Sequence, residues 1–330
     1  MASWGITTND PLTQKAWEEK VFRDVRKDLF IEKFMGQDSN SLVQEKTNLE
    51  GIQGDKITFG LITRLNTQPI LGSSGISAEG NEDRLSHYDF SVTLEEYKIP
   101  IRAKLGLDEK RAMFDISSES EAALKVRASE IMDELYFNAM VASPTKIFYG
   151  HGKANADAID NSDKLDTIIP ARVRAYGKIG GGRQTIPIRP VRINGRDYTI
   201  LVVHPYCLYD LKQDPTFQAW MRDALNRGNE NPLFQGATAI TVDGVVIHEN
   251  ENIPIAVNSS GVKYAKCFYA GAQSGVWAWG TRGTVVQKEF GYGEERGWCY
   301  KFIAAVGKPQ FNGQDYGSYG VYVAVTDLSA

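Results

Sequence analysis

Two runs of alternating apolar and polar residues are separated by a polar stretch with little of its own to bury, and this arrangement constrains the fold more than any other feature. Ile57, Phe59 and Leu61 open the first run, and Phe90, Val92 and Leu94 form the second. Each has the period of two expected of a half-buried strand. Ile99 and Ile101 flank Pro100 in a further extended piece, which belongs at a sheet edge where a missing N–H is tolerated. Residues 66–86 between the runs are rich in Gly, Ser and other polar residues. An isolated hairpin is marginal in water, so residues 56–105 read as a long excursion that must lie against something. Pro69, Ile70 and Leu71 supply apolar material for such a contact. A surface loop with no partner is the competing reading.

A long helix follows. Ser118 and Glu121 have the spacing of a capping box, and Leu124, Ala128, Ile131, Leu135 and Ala139 share one stripe. Lys125, Glu130 and Asp133 fall on the opposite, wet side, and Pro144 limits the length. Nearer the amino end, Asp10-Pro11 reads as an N-cap and first helical residue, with Trp17, Val21, Val25 and Leu29 at helical spacing. That apolar face either packs on its own domain or lies on a neighbour. In the carboxy half, residues 198–203 and 319–325 read as strands. Asp214-Pro215 opens a helix that Gly228 stops, with Phe217, Trp220, Met221 and Ala224 on its apolar face and the Trp220 ring expected in the core. Asp243-Gly244 between two short apolar runs is tight-hairpin chemistry. Mixed helices and antiparallel strands give an α+β class.

The chain has 330 residues, more than the usual single domain of about 100–200, so one large irregular domain or two intimately joined ones is expected. With 42% hydrophobic and 24% charged residues it is not a disordered chain. A formal net charge of −4 argues against a protein that grips nucleic acid by neutralising phosphates. The first residues lack the basic and apolar regions of a secretory signal. No apolar segment approaches the roughly 20 residues of a membrane helix. Cys207, Cys267 and Cys299 lie among aromatic and apolar neighbours and read as packing thiols.

Motifs that carry chemistry are thin. His87, His151, His204 and His248 show no zinc spacing, and His248-Glu249 reads as a strand end. Gly150-His151-Gly152-Lys153 and Gly291-Tyr292-Gly293 read as turns. The series Asp157, Asp160, Asp163, Asp166 lacks the glycine and terminal glutamate of a calcium loop and reads as a solvated acidic surface. No catalytic, cofactor-binding or metal-ligating residue is assigned.

Several short segments, taken in order, resemble one family. They are the stretch 79–115, which runs from Glu-Gly-Asn-Glu through a strand and a Gly-Leu-Asp-Glu-Lys-Arg connector; Ala16-Trp17 with Phe30 to Gly36; Gly54 to Phe59; His204-Pro205; residues 231–236; residues 244–249; and residues 311–317. Together they resemble the major capsid proteins of tailed bacteriophages, more narrowly the N-four-like coat family. The resemblance implies a Hong Kong 97-type subunit with an N-terminal arm (1–54), an extended loop (55–105), a peripheral domain with a spine helix (106–200 and 281–330) and an axial domain (201–280). It implies an icosahedral shell of pentamers and hexamers that encloses double-stranded DNA without sequence-specific binding. Portal, scaffolding and decoration proteins would be partners, with assembly in the host bacterial cytoplasm and no membrane. Trp17, Val21, Phe22, Phe30 and Phe34 on the arm, and Pro69, Ile70 and Leu71 on the loop, are then the candidate inter-subunit contacts. An encapsulin-like compartment of the same fold, holding an enzyme cargo, is the alternative. Some capsids of this fold join a loop lysine to an asparagine of a neighbour. Here no lysine lies between Lys56 and Lys98.

Overall fold

A computed structural model describes residues 31–47, 54–62, 68–71, 77, 79–82, 85, 87–104, 115–179, 186–193, 195–225 and 239–328. A 3-10 turn, Ile31–Phe34, leads into β1 (Met35–Gly36) and β2 (Val43–Lys46), followed by β3 (Lys56–Ile62), β4 (His87–Thr93), β5 (Glu95–Lys104) and helix α1 (Ile116–Val141). The middle of the chain forms β6 (Ile147–Tyr149), α2 (Ile168–Ile179), β7 (Val191–Ile193), β8 (Arg196–Val203), α3 (Pro205–Gln213) and α4 (Pro215–Leu225). The last third holds β9 (Ala239–Val242), β10 (Val245–Glu249), β11 (Ile255–Val257), β12 (Lys263–Ala270), β13 (Gly275–Phe290), β14 (Glu295–Gly307), β15 (Gln310–Phe311), β16 (Gln314–Asp315) and β17 (Ser318–Ala324). The described residues form two compact units. One draws on Tyr97–Glu130 and Gly283–Phe302, and the larger one on Leu29–Glu96, Ile131–Arg282 and Ile303–Ala330.

The larger unit is organised by an eight-stranded sheet of order β6-β17-β12-β8-β10-β9, with β11 added on β12 and β7 on β8. Its middle is apolar on both faces: Leu201, Val202 and Val203 of β8 and every residue of β17 are buried. A strand that runs parallel to its neighbour, as β8 does to β10, is normally covered on both sides, which is why its sequence is a continuous apolar run. The β9–β10 hairpin turns at Asp243 and Gly244, both with positive φ, as the sequence anticipates. Helix α2 approaches this sheet closely through Gly177, where a Cβ would stand 2.9 Å from the Tyr269 ring. The Tyr319 hydroxyl donates to the Val173 carbonyl beside it.

The excursion is anchored on the same unit. β3 and β4 pair antiparallel over seven residues, from Lys56↔Thr93 to Ile62↔His87. Their inward residues Ile57, Phe59, Phe90 and Val92, with Leu94, pack on Val276, Ala278 and Ala305. Strand β5 does not continue this hairpin. It is the edge strand of a separate sheet of order β1-β2-β13-β14-β5, which is where Pro100 was expected.

Helix α1 departs from its sequence reading in its cap and in its buried stripe. Asp115, not Ser118, caps it: the Asp115 Oδ1 accepts from the Ser117 N–H at 3.0 Å, while the Ser118 hydroxyl turns back to the Asp115 carbonyl. Leu124 and Ala128 are buried as expected, but farther along the buried stripe runs through Met132, Tyr136, Phe137 and Met140, and Ile131, Leu135 and Ala139 are only half-buried. Asp133, read as wet, is buried, and its Oδ1 accepts from the Ile31 N–H at 3.1 Å. A helical wheel cannot anticipate a partner 102 residues away.

Asp214 and Pro215 start α4 as expected, the Asp214 Oδ1 accepting from the Thr216 N–H at 2.9 Å. Phe217 is buried, but Trp220 is 45% exposed, which corrects its assignment to the core. Trp220→Ala should therefore shift subunit unfolding by about 0.5 kcal/mol or less. Phe217→Ala should cost about 3–5 kcal/mol. Urea titration of both variants checks the contrast, and an equal loss in the two would refute it.

In the smaller unit, the outer parts of β13, β14 and β5 lie in that order. Tyr97 stacks on Phe302 with ring centroids 5.0 Å apart, and Arg102 pairs with Glu295. The first turns of α1 tie to β13 through Gln287, whose Nε2 donates to Glu121 at 2.8 Å. The β13–β14 turn carries Tyr292 at φ 54° and fully exposed.

Candidate assembly surfaces

The loop candidates are all in the open. Pro69 and Ile70 are exposed, and Leu71 is 69% exposed. Ile62 at the end of β3 and Leu85 before β4 extend this apolar series, at 70% and 61% exposure. A hairpin whose base is fixed by Phe59, Phe90 and Val92 thus carries uncovered aliphatic side chains outward. Of the arm candidates, Trp17, Val21, Phe22 and Phe30 lie outside the described residues. Phe34 is half-buried and meets His248 edge-on, with ring centroids 5.2 Å apart, inside its own subunit. Burial, with Lys33 nearby, pushes the His248 imidazole below its usual range.

The titratable groups that sequence reading passed over serve to hold loops. Asp163 is buried, a correction to the solvated acidic surface read there. Its Oδ1 lies 3.2 Å from His151 Nδ1, and Asp166 Oδ2 lies 2.9 Å from His151 Nε2. Lys153 donates to Asp160 at 2.9 Å, while Asp163 Oδ2 accepts from the Asp160 N–H. The Ser162 hydroxyl, then Lys153, hold the exposed Asp160 carboxyl well below the usual range. The spacing of three that suggested a ligand series instead closes the turns between β6 and α2. A second network joins Lys308 and Asp315, Nζ to Oδ2 at 2.9 Å, with almost no exposed side-chain surface.

Cys207 and Cys267 are buried free thiols with Sγ atoms 3.9 Å apart, and burial pushes the Cys207 thiol up. Such thiols pack rather than react. Among the described residues no group of three or more His, Cys, Asp or Glu side chains is placed to hold a metal ion. No described helix is long and apolar enough to cross a membrane.

What stands out is therefore surface rather than cleft: an anchored hairpin with bare aliphatic residues, an exposed aromatic on a turn, and carboxylates engaged by their own loops. A sequence model of the family described as phage capsid protein matches residues 5–143 and 141–324. The chain belongs to the phage capsid protein family. It is 26% identical to the major capsid protein of Pseudomonas phage KPP25, over 96% of each chain. Among solved structures it resembles the capsid of Ralstonia phage GP4, with TM-score 0.84, 24% identity and all of both chains covered. It also resembles the capsid asymmetric unit of cyanophage Pam1, with TM-score 0.83, 19% identity and 98% and 99% of the two chains covered. The capsid of Helicobacter pylori bacteriophage KHP30 follows at TM-score 0.78 and 12% identity, with 96% and 97% covered. The fold is of the Hong Kong 97 type, with mixed helix and sheet. Members of this family are structural subunits of the virion shell of a tailed phage, and that is the function of this chain. The encapsulin-like alternative is not favoured.

Proposed function

We propose that shell closure rests on two devices laid on a neighbouring copy, the part of the N-terminal arm (1–54) that precedes Ile31, where the chain joins its own body, and the part of the extended loop (55–105) beyond its β3–β4 base. The carrying observation is the row Ile62, Leu71 and Leu85, exposed on a hairpin whose base is locked into its own subunit. Aliphatic surface held out in this way gains free energy by burial at roughly 25 cal/mol per Å². The globular remainder divides into a peripheral part built on α1 and an axial part built on the eight-stranded sheet. Ser318–Ala324 is counted with the axial part, because β17 pairs with β12. Pentamers and hexamers arise from repeated head-to-tail contacts that close. The shell would be assembled in the host bacterial cytoplasm with scaffolding and portal proteins, receive decoration proteins, and enclose double-stranded DNA without reading its sequence. The subunit performs no catalysis. Electron micrographs of the expressed chain should show closed particles; dispersed subunits under all assembly conditions would count against the reading.

A consequence concerns covalent linkage. An isopeptide bond between a loop amine and a neighbour's amide needs a lysine toward the loop tip. Lys56 and Lys98 sit in β3 and β5 at the base of the excursion, with no lysine between them. A guanidinium stays protonated, so Arg64 and Arg84 cannot replace it. Capsids boiled in detergent with reductant should run as a single band at the subunit mass, and a ladder would refute this.

A further inference from the structure

The outer sheet of the smaller unit bears a groove of about 440 Å³, bounded by residues of β5, β13 and β14. Pro100, Ile101, Val286 and Phe290 give it apolar walls, and the charged side chains lining it are all cationic: Arg102, Lys288 and Lys301. Arg102 and Lys288 lie over the Phe290 ring, 4.3 and 5.2 Å from its centroid. Of the nearby carboxylates, Glu295 pairs with Arg102 and Glu289 with Arg296. A cationic, partly apolar groove fits an occupant carrying carboxylates beside aliphatic side chains.

The chain itself presents such a segment. Residues 79–82 form an exposed turn, with Gly80 at φ 86°. The Glu79 N–H donates to the Ser77 hydroxyl at 3.1 Å, the Gly80 N–H to Glu82 Oε2 at 2.8 Å, and Asn81 Nδ2 to the Ser77 carbonyl at 2.9 Å. Two carboxylates are thus displayed on a shaped turn, with the exposed Leu85 just beyond it.

We propose that the groove receives the 79–82 turn of a second copy of this chain, with Glu79 and Glu82 set against Lys288 and Lys301. This rests on the loop reading given under the proposed function and names the surface that the loop meets. Cys299 lines the groove and serves as a built-in reporter. In assembled shells of Glu82→Cys treated with diamide, one thiol of each copy should form a disulfide with Cys299 of the next. The two thiols lose two protons and two electrons, and the diamide N=N bond is reduced to the hydrazine. A ladder on a non-reducing denaturing gel is expected, collapsed by reductant and abolished by adding Cys299→Ser. Intact shells that yield only the monomer band, or only a faster-running internally linked monomer, would overturn the proposal and leave the shell function standing. If Glu82→Cys subunits do not close, charge reversal decides. Lys288→Glu should lose shells and Lys288→Glu with Glu82→Lys should regain them, and no recovery overturns the pairing. Absence of shells from the unaltered chain is the separate result that would strike at the proposed function itself.

Discussion

Asp315→Ala is expected to destabilise the subunit by about 3–5 kcal/mol, because it strands a charge in the interior. Lys308 Nζ lies 2.9 Å from Asp315 Oδ2, and the two side chains are 5% and 1% exposed. The carboxylate does more than neutralise. Its Oδ2 accepts from the Thr145 N–H at 2.8 Å, and its Oδ1 from Gln310 Nε2 at 2.7 Å. Lys308 in turn donates to the Ala142 carbonyl at 2.8 Å, and the Asp315 N–H to the Thr145 hydroxyl at 2.9 Å. The network therefore ties the segment after α1 to the β15–β16 hairpin. Burial holds Lys146 below the usual lysine range while Asp315 acts the other way, so loss of the carboxylate also disfavours that ammonium.

Removal of both charges should cost less than removal of one. Lys308→Met with Asp315→Asn takes away the buried ion pair and leaves an amide oxygen that can still accept from Thr145. The double variant should recover more than half of the loss, because a buried pair is offset by its own desolvation whereas a lone charge is not. Urea unfolding of dissociated subunits compares the unaltered chain, Asp315→Ala and the double variant. A loss below about 1 kcal/mol for Asp315→Ala would show that water reaches Lys308 and that the site is not dry.

Local signals survive in this sequence and distant ones do not. The alternation in β3 and β4 and the turn at Asp243-Gly244 follow from backbone geometry over a few residues, and both are in place. The cap of α1 shifts because the helix starts at Ile116, before Ser118, and at that start the Asp115 carboxylate accepts from the Ser117 N–H. Asp133, Asp163 and Asp315 all look like surface acids on composition alone. Two of them are held by partners far along the chain: Ile31 for Asp133, and Thr145 for Asp315 at a separation of 170. Trp220 fails for the opposite reason: periodicity marks a face of α4, but it does not say what lies opposite that face. The groove was illegible because Arg102, Lys288 and Lys301 come from three strands that only the sheet order brings together. The exposed loop, by contrast, was legible as apolar residues set in a polar stretch.

Deletion of residues 1–28 is expected to leave a folded subunit that no longer closes into shells, because it removes Trp17, Val21 and Phe22 while sparing the anchored start of the body. The boundary matters. Ile31 is 1% exposed and its N–H satisfies the buried Asp133 carboxylate, Phe34 packs on His248, and Met35 pairs with Val43 in parallel register. A cut after Met35 would remove the Ile31 N–H from the buried Asp133 carboxylate and open an apolar void, and either change alone is worth about 1–3 kcal/mol or more. It would confound misfolding with failed assembly. The shorter deletion separates the two: thermal unfolding of the subunit should change little while sedimentation and micrographs lose the shell. The longer deletion should lower the unfolding temperature as well. Closed shells of normal size from the 1–28 deletion would show that the arm's apolar residues serve no neighbour. An unfolded subunit from the same deletion would show that they serve their own core instead.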